Sequence, residues 1–241
     1  MPIRLALAAT AALVAAGCAS IQPARMAMPP SLAAAESMPI TGIGGGQTGR
    51  FAVGDSTGSF SRSATRLAFF DALFEHRDGH TSFSLSDGAA AGLLTAECRM
   101  SERTVTLGIA SFEAHPMAYG CTFRRDNRTI PARFELQARR AGLGGMLMQQ
   151  ERRGEMTFDG ITLSIRSVHD LQGSALSMAT PIGYVFERDG ADIGAVEING
   201  EPMIAFRPGT DEITRRAIIA AALALSLFWD PAESALGREA D

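Results

Sequence analysis

From Gly49 to about Arg207 the chain alternates short β-rich runs with turn dipeptides: Asp78-Gly79, Asp87-Gly88, Asp159-Gly160, Asp189-Gly190 and Asn199-Gly200. Asp-Gly and Asn-Gly accept the positive φ angles that two-residue hairpins need, so five such signals predict a mainly antiparallel sheet. Two of them set a register. With Asp189-Gly190 and Asn199-Gly200 as two-residue turns, Phe186 faces Ile193 and Ile193 faces Phe206, while Tyr184, Ala195 and Ile204 form the next row on the same face. The meander from Tyr184 to Arg207 then presents a continuous apolar surface, and the next segment supplies its cover. Thr210 can cap a helix with Asp211 and Glu212 in its first turn, where the dipole favours negative charge. The helix is expected over about 211–229, before Asp230-Pro231 stops it. From Ala217 to Trp229 only Ser226 is polar, so this helix is apolar on nearly all sides and must be buried. Thirteen such residues reach only about 20 Å against a hydrocarbon core of about 30 Å, which favours a core helix enclosed by sheet. The expected fold class is mainly β (α+β), an antiparallel β-meander or closed barrel packed around a buried hydrophobic C-terminal helix.

Ahead of the sheet the pattern is different. Met1-Pro2-Ile3-Arg4 is a short basic start, followed by an apolar run from Leu5 to Ala16 that is too short to remain as a membrane span and has the shape of a secretory signal. Val14-Ala15-Ala16-Gly17-Cys18 resembles the lipobox of bacterial lipoproteins, with Ala15 where that family usually has Leu. The resemblance implies removal of residues 1–17 and lipidation of Cys18, for example with palmitate. It also implies a membrane partner through that lipid anchor and, because Ala19 rather than Asp follows, a place at the outer membrane facing the periplasm. The alternative is a plain signal cut near Ala16 to Ala19 that leaves a soluble periplasmic protein. Residues 18–48, with Pro29-Pro30 and Gly44-Gly45-Gly46, read as a flexible tether that would hold the folded part some tens of Å from the anchor. One β-rich domain is expected over 49–232, with a flexible tail over 233–241.

Composition narrows the class. A chain of 241 residues that is 46% hydrophobic can bury a real core, and its formal net charge of −4 argues against a general nucleic-acid partner. All 22 basic residues are Arg. With Cys18 taken by lipid, Cys98 and Cys121 remain in an oxidising compartment, which suggests one disulfide closing a loop of about 24 residues; two separate buried thiols are the alternative.

The stretch Gly183-Tyr184-Val185-Phe186 through Asp189-Gly190, then Ile193-Gly194-Ala195-Val196, then the helix from Ile213 to Trp229, resembles the tubby C-terminal, LURP-one and scramblase group of folds. There, a closed antiparallel barrel is threaded by one apolar helix. The resemblance covers about the last fifth of the chain and implies binding of anionic lipid or other membrane-associated roles.

Candidate chemistry is sparse. Gly54-Asp55-Ser56-Thr57-Gly58 matches the G-x-S-x-G elbow of Ser hydrolases, but without strand–turn–helix surroundings it reads as a turn entering a strand. If Asp78-Gly79 is a hairpin turn, His76 and His80 fall on opposite faces and cannot share a metal. His115 and His169 stand alone. The most suggestive feature is basic: Arg124, Arg125, Arg128, Arg133, Arg139, Arg140, Arg152 and Arg153 lie within thirty residues, opposed by Asp126, Glu135 and Glu151. Of these, Arg124, Arg125, Arg128, Arg139, Arg140, Arg152 and Arg153 are the candidate binding set for an anionic lipid or other envelope polyanion. The bland reading is a set of solvated strand ends. No catalytic residue, metal ligand or cofactor is assigned. The expected function is a non-enzymatic binding or structural module of the cell envelope, the alternatives being an assembly partner of another protein or a hydrolase using Ser56.

Overall fold

The structure is a computed structural model and describes residues 24–69, 74–86, 92–107, 110–139 and 150–229. Its strands are β1 Glu36–Thr41, β2 Thr48–Val53, β3 Ser56–Phe69, β4 Phe74–Ser86, β5 Leu93–Leu107, β6 Ala110–Arg125, β7 Arg128–Ala138, β8 Arg152–Phe158, β9 Ile161–Val168, β10 Gly183–Arg188, β11 Ala191–Glu197 and β12 Met203–Phe206. Each pairs antiparallel with its neighbours in sequence, and β12 pairs with β1, so the twelve strands form one closed barrel. The helix α1, Glu212–Leu227, lies within it. The expected fold class is the observed one.

Away from its bulges the wall alternates. Phe60, Phe83, Ala96, Phe123, Phe134, Met156, Leu163 and Phe186 point inward and are buried, whereas Thr57, Ser59, Ser61, Ser63, Ser82, Ser84 and Ser86 of β3 and β4 point outward. Apolar inside with hydroxyls outside is the reverse of a transmembrane barrel wall. No helix among the described residues is long and apolar enough to cross a membrane. Helix and wall divide the volume between them. The stretch Ala217–Ala224 is mostly alanine, with Ala217, Ala220, Ala221, Ala222 and Ala224 all fully buried, so the backbone fits inside a ring of aromatic side chains. Gly194 extends the same logic to the wall, since a Cβ there would meet Ile218 Cδ1 at 2.9 Å.

The two rims differ. At one, where α1 begins, Gly54-Asp55, Asp126-Asn127, Asp159-Gly160 and Asp189-Gly190 make two-residue reversals between paired strand ends. Both central residues of the last three have positive φ, which Asp, Asn and Gly tolerate. We call this the turn rim. At the other, where Phe228 and Trp229 follow the helix, the β1–β2, β7–β8, β9–β10 and β11–β12 connections are longer, while β3–β4 and β5–β6 run on past their neighbours as two long hairpins; we call it the loop rim.

Several expectations are corrected. Asp78-Gly79 lies within β4, because residues on both sides pair with β3 and β5 rather than with each other. The expected turn at Asp87-Gly88 lies outside the described residues. A bulge at Ile193 shifts the meander, so Phe186 faces Gly194 and Gly194 faces Phe206, while Tyr184 faces Val196 and Val196 faces Ile204. The connection after β11 is five residues, not two. The helix is capped by Asp211 rather than Thr210: its carboxylate accepts the Thr214 N–H at 2.9 Å and the Thr214 hydroxyl at 2.7 Å.

A further correction concerns the segment read as tether. From Ala24 onward it belongs to the fold, and the domain does not begin at Gly49. A 3-10 turn, Pro30–Leu32, leads into β1, which closes the barrel. Met26 and Leu32 cover a second apolar core on the outer wall, made of Val168, Ile182, Val185, Ala195 and Ala205. Gly183 leaves the notch for Met26, whose Sδ lies 2.2 Å from where a Cβ would be. The buried Glu197 carboxylate fastens the segment by accepting from the Met26 N–H and the Arg25 guanidinium, both at 3.2 Å.

Candidate functional site

The loop rim gathers most of the polar groups that the wall turns inward. Arg62 follows Phe60 in the inward phase of β3, so its guanidinium is buried. It lies 5.1 Å from the Phe60 ring centre and 4.9 Å from that of Trp229. Its Nε donates to the Gly46 carbonyl at 3.0 Å and a terminal nitrogen donates to that of Gly44, which clasps the β1–β2 connection across the barrel mouth. Burial lowers this guanidinium from its ordinary value, yet Arg keeps its charge in proteins. Across the mouth, Arg152 is 6% exposed, lies 5.4 Å from the Phe228 ring centre and donates to the Tyr184 hydroxyl at 3.4 Å and Gln150 Oε1 at 3.3 Å. The last turn of α1 has no basic residue. Two wall arginines therefore sit at its negative end.

Beside Arg152, Ser167 Oγ accepts the Arg152 N–H at 3.0 Å and lies 3.0 Å from Nε2 of His169. His169 Nδ1 is 3.0 Å from the Met178 carbonyl. Nδ1–H donates to the Met178 carbonyl, and the Ser167 hydroxyl is the partner of Nε2. A carbonyl, not a carboxylate, holds the imidazole, and the pair, His169 buried and Ser167 half-buried, knots the β9–β10 connection onto the rim.

That connection lies against the start of the docked N-terminal segment. Ala27 N–H donates to the Asp170 carbonyl, and Gln172 N–H donates to the Arg25 carbonyl, both at 2.8 Å. Asn199 donates to the Ala24 carbonyl at 2.6 Å. The same corner holds three of the five large apolar side chains that are exposed among the described residues: Leu176 at 73%, Met178 at 43% and Met28 at 37%. The other two, Leu93 and Ile213, belong to the turn rim. Exposed Arg139 and Arg153 border the corner, since Arg139 N–H donates to the Glu151 carbonyl and Gln150 N–H to that of Ala179.

The barrel scatters the predicted basic set. Arg124, Arg125 and Arg128 flank the Asp126-Asn127 turn at the turn rim, where Arg125 pairs with Asp159 at 3.0 Å and lies over Phe158. Arg133 is on the outer wall, ion-paired with Glu135. Arg139 and Arg153 are at the loop rim, Arg152 is inside it, and Arg140 and Cys18 lie outside the described residues. Strand β7 alone, at about 3.3 Å per residue, separates the two groups by roughly 35 Å, so they are not one surface. Cys98 and Cys121 face each other across β5 and β6 and form a disulfide.

Ser56 follows the Gly54-Asp55 turn, as the turn reading expects. It borders a cleft of about 70 Å³ with Arg125, Phe158, Glu212 and Arg216, well below the 300–1,000 Å³ of a typical small-molecule site. His80, by contrast, pairs with Ser63, seven residues along β3 and roughly 23 Å away. His76 and His80 point to the same outer face, not to opposite ones, because β4 runs on through Asp78-Gly79. Each has its own partner, Asp78 at 2.7 Å and Glu97 at 3.2 Å, and among the described residues no three possible ligands converge for a metal ion. Sequence reasoning missed Arg62, Glu197 and the Ser167–His169 pair. The inward phase shared with Phe60 is a readable signal for Arg62, whereas Glu197 and Ser167 acquire their roles from partners far away in the chain.

No family model matches the chain, and no curated protein and no solved structure matches it either.

Proposed function

We propose that the chain is a lipid-anchored module of the bacterial cell envelope that acts by holding and presenting its outer surface, not by enclosing a ligand or turning over a substrate. The observation that carries this reading is the filled barrel. Residues from Ala217 to Leu227 pack against the inward aromatic side chains at 0–2% exposure apart from Ile219 and Ser226, so the interior is occupied by the protein itself. What remains for a partner is the rims and the hydroxyl-rich wall. The lipobox-like Val14 to Cys18 supports the anchor, and the barrel-around-helix architecture is the one implied by the tubby and scramblase resemblance. In this reading, membrane lipid with anionic headgroups is the partner, and Arg139 and Arg153 are the members of the predicted set placed to meet it.

The test is to express the chain with an alkyne analogue of palmitate and fractionate the envelope. The expected result is label on the wild type, none on Cys18→Ala, and weaker retention of Cys18→Ala in the membrane fraction. An unlabelled wild type, or a Cys18→Ala protein processed and labelled as before, would overturn the anchor. A fluorophosphonate probe is expected to leave the chain unlabelled; label lost on Ser56→Ala would restore the hydrolase.

A further inference from the structure

We infer that the loop rim faces the bilayer, with Leu176, Met178 and Met28 seated at the boundary between headgroups and acyl chains and the turn rim directed away from the membrane. This rests on the anchored reading above. It adds which end of the molecule meets lipid and through which side chains.

The first support is reach. Ala24 lies six positions beyond Cys18, with five residues between them, and a fully extended chain over those six steps spans about 20 Å. Ala24 itself is fixed, its carbonyl held by Asn199 of the β11–β12 connection at 2.6 Å. Arg25 and Met26 are held by Glu197. From there the segment runs along the outer wall to Glu36 beside Phe206, at the turn rim. The sixteen residues of α1 put about 24 Å between the rims. An acyl chain on Cys18 therefore reaches a bilayer lying against the loop rim with slack to spare, and one lying against the turn rim only with the chain drawn out fully along the wall.

The second support is the chemistry of the two ends. The loop-rim corner where the chain enters carries Leu176, Met178 and Met28 exposed, with Arg25, Arg139 and Arg153 around them. Amphipathic surfaces seat in this boundary with apolar groups inserted and Arg at headgroup level. Glu151, Asp170 and Glu201 also lie at this rim and are exposed, so apolar insertion, rather than net charge, holds the contact. The turn rim presents an Asp at each of its four tight turns, Asp55, Asp126, Asp159 and Asp189, with Asp189 93% exposed, beside Arg124, Arg125 and Arg128. Its two exposed apolar side chains, Leu93 and Ile213, form no counterpart to the three that gather where the chain enters at the loop rim.

The test uses the full chain purified from envelopes and reconstituted in vesicles of phosphatidylethanolamine and phosphatidylglycerol. An environment-sensitive fluorophore is placed on Leu176→Cys or, as control, on Asp189→Cys; the Cys98–Cys121 disulfide leaves the new thiol to react. The expected result is a blue shift and a several-fold intensity rise at 176, quenched by nitroxide-labelled lipid, with no change at 189. Leu176→Glu combined with Met178→Glu should lower vesicle binding of the unanchored Cys18→Ala protein at least tenfold. A water-exposed label at 176 on an acylated chain overturns the inference and leaves the anchor standing. A chain that mass spectrometry shows to be unacylated, but whose Cys18→Ala form still gives the lipid signal at 176, overturns the anchor and leaves the rim assignment standing. A water-exposed label at 176, joined with loss of a co-purifying protein in Leu176→Glu, assigns the patch to a protein partner and overturns the inference.

Discussion

Single polar contacts decide how α1 is held at each end. Near its C-terminus the Tyr119 hydroxyl donates to the Ala224 carbonyl at 3.0 Å, satisfying one of the last four carbonyls of the helix, which have no partner within it. Burial pushes the Tyr119 phenol well above its ordinary pKa, so it remains a donor at any working pH. Tyr119→Phe leaves that carbonyl buried without its partner and should cost about 1–3 kcal/mol, read as a lower urea midpoint at unchanged slope. At the other end, hydrogen bonds from the Thr214 N–H and hydroxyl hold the Asp211 carboxyl below its usual 3.8. Its folded value is the lower one, so its contribution is complete above the unfolded pKa and is lost as pH falls through the folded one. The difference in Tm between wild type and Asp211→Asn should therefore be constant near neutrality and shrink below about pH 4; a difference that grows in acid would reverse the assignment. A cap at this position was legible in the sequence, but not which of two adjacent side chains supplies it, because that depends on the Arg188 guanidinium reaching Asp211 and Thr214 from β10.

At the scale of elements, the helix and its wall are complementary in size. Ala221→Leu adds volume where the aromatic ring has already filled the space and should cost about 1–3 kcal/mol, whereas Leu223→Ala removes a fully buried side chain and should cost about 2–5 kcal/mol. Both are measurable by denaturant unfolding, and near-neutrality of both would mean that the helix is not enclosed. The apolar run that made α1 readable is a property of one segment alone. Register is not, and there the sequence pattern fell one residue short: the bulge at Ile193 is set by Gly194, whose missing side chain admits Ile218 from the helix. Asp78-Gly79 misled for a related reason, since the inward phase through Arg77, Gly79, Thr81 and Phe83 continues unbroken and the true reversals lie elsewhere. The docked N-terminal segment makes its own prediction. Glu197→Ala removes the carboxylate that holds Arg25 and Met26, so the barrel should stay folded by near-UV circular dichroism while the bonds from Arg25 to Ser31 become sensitive to limited proteolysis. Equal resistance in the variant would show that Met26 and Leu32 suffice to hold the segment.

For the molecule as a whole, closure requires three pieces far apart in sequence: the meander, β1 from the segment that composition marks as tether, and α1. Low complexity in 18–48 hid β1 because its pairing partners, Glu36 with Phe206 through Pro39 with Met203, come from the other end of the chain and leave no local trace. The candidate site was hidden in the same way: its members come from 24–28, 44–46, 62, 139, 150–153, 167–182 and 197–199 and meet only once the barrel has closed. Interdependence of this kind predicts one cooperative unit. A chain ending at Gly209 keeps all twelve strands but leaves Phe60, Phe83, Phe123, Phe134, Phe158, Phe186 and Phe206 around a void the length of the helix. Each buried side chain of that size contributes about 1.5–3 kcal/mol, and loss of several exceeds the 5–15 kcal/mol by which domains are usually stable. The truncated chain should therefore retain far-UV signal but bind a hydrophobic dye, lose near-UV structure and show no cooperative melting, as expected of a collapsed chain without fixed packing. A sharp thermal transition in that chain would mean that the wall closes without its helix, and the filled interior, with the surface-acting function drawn from it, would have to be given up.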